Sequence, residues 1–166
     1  TVQSIVRAVP GSDEASWLAV LADPQVAVLT VTVTEAGYSA GSAVPGRIAD
    51  GLVARADTDA GPIAVVSCDN LPRNGRVLRD AVLKAAGTEA ARISDTASFV
   101  DTVVDRITPA VTAVDIDAVR KLTGLDDPST VVTEPFTEWI LAGEFPGGAP
   151  DWAQGGGRFV ADVGPY

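Results

Sequence analysis

Three observations predict an α/β fold with a mostly parallel sheet flanked by helices. Short apolar, β-branched runs alternate with helical stretches of about ten residues, the signature of βαβ units. Several of these runs stop abruptly in small polar residues and a glycine or proline turn. The 166 residues are 46% hydrophobic, enough for one domain with a buried core, and no internal period marks a repeat protein.

The elements follow in order. Residues 4–9 read as a short strand ended by Pro10-Gly11. Ser12 or Asp13 caps a helix over 14–21, and Asp23-Pro24 stops it because the residue before proline leaves the helical region. Residues 26–33 are apolar and β-branched, which predicts a central strand buried on both faces. It runs into Thr34-Glu35-Ala36-Gly37-Tyr38. A helix over 48–56 places Ile48, Leu52 and Val53 near one face, and a buried strand spans 63–66. A Pro72-Arg73-Asn74-Gly75 turn then introduces a helix over 77–86, with Val77, Leu78, Val82 and Leu83 on one face and Gly87 at its end. Residues 98–103 fit helix or strand. A short helix spans 115–123 before Gly124, and a strand covers 130–133. The run 136–141 is apolar, residues from 143 onward are loop-like, and 159–163 forms a last strand.

Composition removes several function classes. Twenty-two acidic residues against 12 basic give a net charge of −10, so nucleic acid is not an expected partner. The apolar runs are too short to span a membrane, and no basic-then-apolar leader suggests secretion. One cysteine excludes an internal disulfide and fits a reducing cytoplasm. There is no histidine, which removes the commonest general base, the Ser-His-Asp triad and most zinc sites; no metal is expected.

Three polar clusters follow apolar runs: residues 34–38, Ser67-Cys68-Asp69-Asn70, and Val104-Asp105-Arg106. In an open α/β sheet, ligands bind beyond the carboxyl ends of the strands. The amide of Asn70 can donate to a carbonyl or alkoxide oxygen without titrating. Asp105 can accept from a substrate hydroxyl. The same types also serve plainly as turn and cap residues, as Asp69, Asn70 and Asn74 all could. Cys68 reads as a small buried side chain, Arg106 as the ion-pair partner of Asp105, and the late aromatics as core. Gly155-Gly156-Gly157 lacks the strand before it and the Lys-Ser/Thr after it that a phosphate loop needs.

Four ordered motifs carry a resemblance: Thr32-Val33-Thr34-Glu35-Ala36-Gly37-Tyr38, Ser67-Cys68-Asp69-Asn70-Leu71-Pro72-Arg73-Asn74-Gly75, Val104-Asp105-Arg106-Ile107-Thr108-Pro109 and Glu134-Pro135-Phe136-Thr137-Glu138-Trp139. Together, across nearly the whole chain, they resemble the long-chain mannitol dehydrogenase family, which includes mannitol 2-dehydrogenase and fructuronate reductase. The resemblance implies a partial Rossmann-like sheet. It also implies an NAD- or NADP-dependent oxidoreductase that moves a hydride between a sugar alcohol, or its keto-sugar form, and a nicotinamide. It assigns Asn70 to the oxyanion hole as a catalytic and substrate-binding residue, Asp105 to the substrate site, and Thr34, Glu35 and Gly37 to the cofactor side of the cleft.

Family members are much longer. Their glycine-rich pyrophosphate loop and their helical domain, with its catalytic lysine and Lys…Asn-Gly-x-His motif, have no counterpart here. Lys84 and Lys121, the only lysines, match neither position. The chain therefore resembles a central fragment. Residues 1–166 form one domain, the second half of a Rossmann-like unit, with 130–166 leading toward a C-terminal domain. Such a fragment is expected to be inactive alone and to self-associate through an exposed apolar face. The other expectation is a non-catalytic small-molecule binding or interaction domain built on the same half sheet.

Overall fold

The computed structural model describes residues 4–39, 41–105 and 108–166, with Asp105 described by its backbone alone. Five strands form one sheet: β1 (Val28–Val31), β2 (Ile63–Ser67), β3 (Ala97–Asp105), β4 (Glu138–Ala142) and β5 (Gly157–Phe159), lying side by side in chain order. The pairs β1–β2, β2–β3 and β4–β5 are parallel, and β3–β4 is antiparallel. β3 changes partner along its length. It pairs with β2 up to Val100 and with β4 from Asp101.

The helices are α1 (Glu14–Leu21), α2 (Val44–Ala56), α3 (Asn74–Ala86), α4 (Ala90–Thr96) and α5 (Ala113–Thr123). Local chemistry sets their ends. Asp13 accepts from the Ser16 N–H at 3.0 Å at the start of α1. Pro45 sits in the first turn of α2, where its missing N–H costs nothing. Gly124 closes α5 in the left-handed conformation (φ 76°), and Thr112 with Asp115 forms a capping box at its other end.

Four of the helices cover one face of the sheet. Leu21, Ile48, Leu52, Leu78, Val82 and Ile93 pack on Val31, Ile63 and Val65. Consecutive parallel strands with crossovers of one hand must put their helices on one side. The alternate residues of β2, Ala64 and Val66, face the other way and pack with Val100 and Leu141. That second face is roofed by aromatics from the C-terminal stretch. Trp152 lies 4.6 Å from Trp139 between ring centroids, and Phe145 meets Trp152 and Phe159 edge-on at 6.0 and 5.4 Å. β2, covered on both faces, is buried along all five residues.

Several expectations change. Residues 4–9 form no strand, and Ile5 and Val6 stand exposed at 68% and 95%. Extended backbone needs a neighbour to take its N–H and C=O groups, and β1 pairs only with β2 among the described residues. The strand over 26–33 shrinks to Val28–Val31 for the same reason. It is an edge strand, with Thr30 exposed and only Val31 fully buried, rather than a central one. Residues 130–133 carry no strand, and Val131 is 71% exposed. The last strand ends at Phe159 instead of running to 163. The ambiguous run 98–103 is strand, and α2 and α3 each begin a few residues before the expected start.

At the edge of the sheet where β1 and β2 begin, Arg55 is buried to 2% exposure. Its guanidinium donates to the carbonyls of Leu21 (2.8 Å), Asp23 (3.2 Å), Ala60 (2.9 Å) and Gly61 (2.5 Å). It thus ties the end of α1 and the entries to both strands to the end of α2. Arg55→Leu strips four carbonyls of their donor at once. It is expected to lower unfolding free energy by about 3–5 kcal/mol in urea melts; a loss below about 1 kcal/mol would show that water replaces the guanidinium there.

Candidate functional site

β1, β2 and the first half of β3 are parallel, so their carboxyl ends meet at one edge of the sheet. The chain leaves β1 into a 3-10 turn, Glu35–Tyr38, and leaves β2 into Cys68-Asp69-Asn70. One pair of side chains joins the two exits. The Tyr38 hydroxyl donates to Asp69 Oδ2, while Asp69 Oδ1 accepts from the Leu71 N–H at 2.9 Å and holds the turn. Burial, then the bond to Asp69, pushes the Tyr38 phenol well above its ordinary range; the Ser67 hydroxyl beside it acts the other way.

The turn is locked from beneath by Asn74, which is fully buried. Its amide nitrogen donates to the Asp69 carbonyl at 2.8 Å and to Thr102 Oγ1 at 3.0 Å. Its oxygen accepts from the N–H groups of Gly75 and Thr102, both at 2.8 Å. Thr102 Oγ1 donates onward to the Ser67 carbonyl at 2.5 Å. One carboxamide therefore joins the exit of β2, the start of α3 and the middle of β3. Gly75 follows because nothing larger fits. A Cβ there would lie 2.4 Å from the Val100 carbonyl oxygen. Arg73 completes the turn in the left-handed conformation (φ 56°), the one described non-glycine residue with positive φ.

A cavity of about 390 Å³ opens above this scaffold. Three stretches line it: Asn70, Leu71, Pro72 and Arg73; Thr102, Val103 and Val104; and Asp162, Val163, Gly164 and Tyr166. Asn70 is exposed, and no side-chain hydrogen bond holds its amide among the described residues. Both its donors are free to meet a ligand. On the other side of Leu71 and Pro72 lies an open cleft of about 690 Å³, lined by Glu35, Ala36, Tyr38, Ser39 and Val77 as well. Leu71 and Pro72 thus form a ridge shared by cavity and cleft.

The other sequence-derived candidates fall as follows. Glu35 lines the cleft and Thr34 lies exposed at its start, accepting from the Gly37 N–H at 2.7 Å. Gly37 packs on Val33, whose Cβ would stand 2.7 Å from any Cβ at 37. Asp105 ends β3 opposite Glu138, next to cavity-lining Val103 and Val104; its side chain and all of Arg106 lie outside the described residues. Cys68 is half-buried, and burial followed by the Asp69 charge raises its thiol, which suits packing rather than attack. Among the described residues no cluster of His, Cys, Asp or Glu could hold a metal, and no helix is long and apolar enough to cross a membrane. Sequence reasoning missed two things: the depth of Asn74, named there only as a turn or cap residue, and the cavity lining from Asp162, Val163, Gly164 and Tyr166.

Residues 1–154 match the family model described as the mannitol dehydrogenase Rossmann domain. The chain is 34% identical over 173 residues to the D-mannonate oxidoreductase of Escherichia coli (strain K12), covering 88% of this chain and 36% of that protein. Two solved structures share 33% identity with it over 92% of its length. They are a substrate-free D-sorbitol dehydrogenase (TM-score 0.76, 37% of that chain) and the Pseudomonas fluorescens mannitol 2-dehydrogenase ternary complex with NAD and D-mannitol (TM-score 0.74, 36% of that chain). The chain thus spans little more than a third of the length of these relatives.

Asn70 and Asn74 should separate cleanly in the laboratory. Asn74→Ala is expected to cost about 3 kcal/mol or more in denaturant unfolding, because Thr102 N–H and its neighbours lose their partner in the interior. Asn70→Ala should stay within about 0.5 kcal/mol of the parent; equal losses at both positions would refute the division of labour.

The raised Tyr38 phenol has a pH consequence. The folded state favours the protonated form, so this stabilisation is whole below about pH 10, where the unfolded phenol begins to ionise, and fades as pH rises beyond it. Stability measured across that alkaline range should fall more steeply for the parent than for Tyr38→Phe; parallel curves would contradict the assignment.

Proposed function

The chain belongs to the mannitol dehydrogenase family, and from that premise we propose that it is the part of an NAD(P)-dependent polyol dehydrogenase that presents substrate to the nicotinamide. One observation carries this reading. An unheld carboxamide, that of Asn70, lines a cavity at the carboxyl edge of parallel strands, on a scaffold fixed by Asn74. The substrate is a sugar alcohol or the matching keto-sugar.

Oxidation of a carbinol takes a hydride from carbon and a proton from oxygen. Bound nicotinamide supplies the hydride acceptor. Asn70 donates to the substrate oxygen, and the bond strengthens as the oxygen becomes anionic, so it favours the transition state over the bound alcohol. Asp105, leaving β3 beside the cavity, accepts from a substrate hydroxyl. Thr34, Glu35 and Gly37, in the segment leaving β1, would lie on the nicotinamide side, with Glu35 lining the cleft. Leu71 and Pro72 line both spaces.

The residues present fit only this end of a dinucleotide. The chain has no glycine-rich strand-turn-helix for the pyrophosphate and no histidine, and neither lysine lines the cavity. The base and the pyrophosphate grip therefore come from outside the described residues, and the chain alone binds polyol without turning it over. A cytoplasmic setting fits this chemistry and the single thiol. One feature favours the non-catalytic alternative: among the described residues neither a histidine nor a lysine lines the cavity. Self-association is proposed through α5, which buries no residue and exposes Val114 and Leu122 at 76% and 86%.

Titration with mannitol, followed by nuclear magnetic resonance, should shift the Asn70 side-chain amide, and mixing with NAD and mannitol should yield no reduced cofactor by absorbance. Polyol that leaves Asn70 untouched would remove the site, and turnover by the chain alone would place the base within it. In a longer enzyme carrying this segment, Asn70→Ala should lower kcat by about 10²–10³-fold.

A further inference from the structure

We propose that Tyr38 is a positioning residue: acting through the Asp69 carboxylate, it fixes the backbone at Asn70 and so places the amide that meets the substrate oxygen. The inference rests on Asn70 being the substrate donor. Tyr38 lines the cleft and Asn70 the cavity, so the bond between Tyr38 and Asp69 reaches from one space toward the other.

No side-chain hydrogen bond holds the Asn70 amide among the described residues, so its place is set through the backbone on either side. Asp69 holds both flanks. Its carbonyl accepts from the Asn74 amide at 2.8 Å, and its carboxylate Oδ1 accepts from the Leu71 N–H at 2.9 Å. The second bond closes an Asx turn with Asn70 at its centre. Such a turn lasts only while the carboxylate keeps its rotamer. The other oxygen, Oδ2, accepts from the Tyr38 hydroxyl. No cation pairs with Asp69 among the described residues, so one O–H and one N–H meet its charge. Bonds to an ionised acceptor are the strong ones.

Tyr38 suits this task because its own place is fixed. Its ring packs on the helix-side core, and the Gly37 N–H closes the turn before it on the Thr34 carbonyl at 2.7 Å. Burial, then the bond to Asp69, raises the phenol, which keeps it a donor across the ordinary pH range. A turn formed before the ligand arrives costs nothing to order on binding. A turn without its brace must be ordered at that moment, and affinity falls by that cost.

The test is a double-mutant cycle on the whole chain, with D-mannitol as the probe and affinity read by nuclear magnetic resonance titration. Tyr38→Phe keeps the ring and its packing and removes only the hydroxyl. It is expected to weaken mannitol binding about fivefold in the parent, the effect of one lost hydrogen bond. In Asn70→Ala the same change should leave the affinity as it was. Asp69→Ala should repeat this pattern. Backbone amide spectra check each fold, and Tyr38→Phe decides the matter if Asp69→Ala unfolds. A general structural role for Tyr38 predicts equal losses with and without the Asn70 amide. Equal losses, or no loss in Tyr38→Phe, overturn the positioning role while leaving the substrate site standing. A parent that binds no mannitol, or an Asn70→Ala variant that binds it as the parent does, overturns the substrate site and this inference together.

Discussion

The candidate site hangs on the Asn74 carboxamide. A buried amide is expensive unless every donor and acceptor is met, and here four hydrogen bonds meet them. Those bonds do more than offset desolvation. They fix where β2 stops, where α3 starts and how far β3 reaches past its neighbour. The Thr102 N–H, freed where β3 leaves β2 for β4, is taken by a side chain instead of a strand. The missing Cβ of Gly75 allows the approach that brings the amide into range. Asn and Gly in sequence are thus one device: the first bonds to the strand, the second lets it come near.

The sheet is asymmetric in consequence. Helices crowd one face, and the other relies on a small aromatic roof from the last quarter of the chain. β2 alone is buried throughout, and it is the strand that feeds the site. Buried support lies under the polar turn, while the exposed loop residues sit at the rim. Arg55 performs the matching task at the opposite edge, where it gathers carbonyls rather than presenting a charge.

Much of this was legible in the sequence because it rests on local pattern. The cap and proline stop of α1, the apolar faces of α2 and α3, the unbroken apolar run of β2 and the abrupt polar exit after it all survive in the structure. Failures cluster where pairing decides. Residues 4–9 and 130–133 have strand composition, but no strand lies beside them, and β-propensity without a ladder yields none. The site shows the same split. Asn70 could be picked out because it follows a strand end. The depth of Asn74 could not, because Thr102, 28 residues further on, is what makes it a hub. The cavity lining from Asp162, Val163, Gly164 and Tyr166 carried no signal, since these residues gain meaning only by lining the same cavity as Asn70.

The Leu71–Pro72 ridge has a thermodynamic consequence. It is a single short segment with a ligand-sized space on each flank, pinned at its base by Asp69. An occupant of one flank that displaced the ridge would reshape the other flank as well, and the resulting coupling would be reciprocal: the factor by which filling the cleft changed affinity in the cavity would be the factor by which filling the cavity changed affinity in the cleft. A preferred order of binding on these two flanks would be a property of one proline and one leucine.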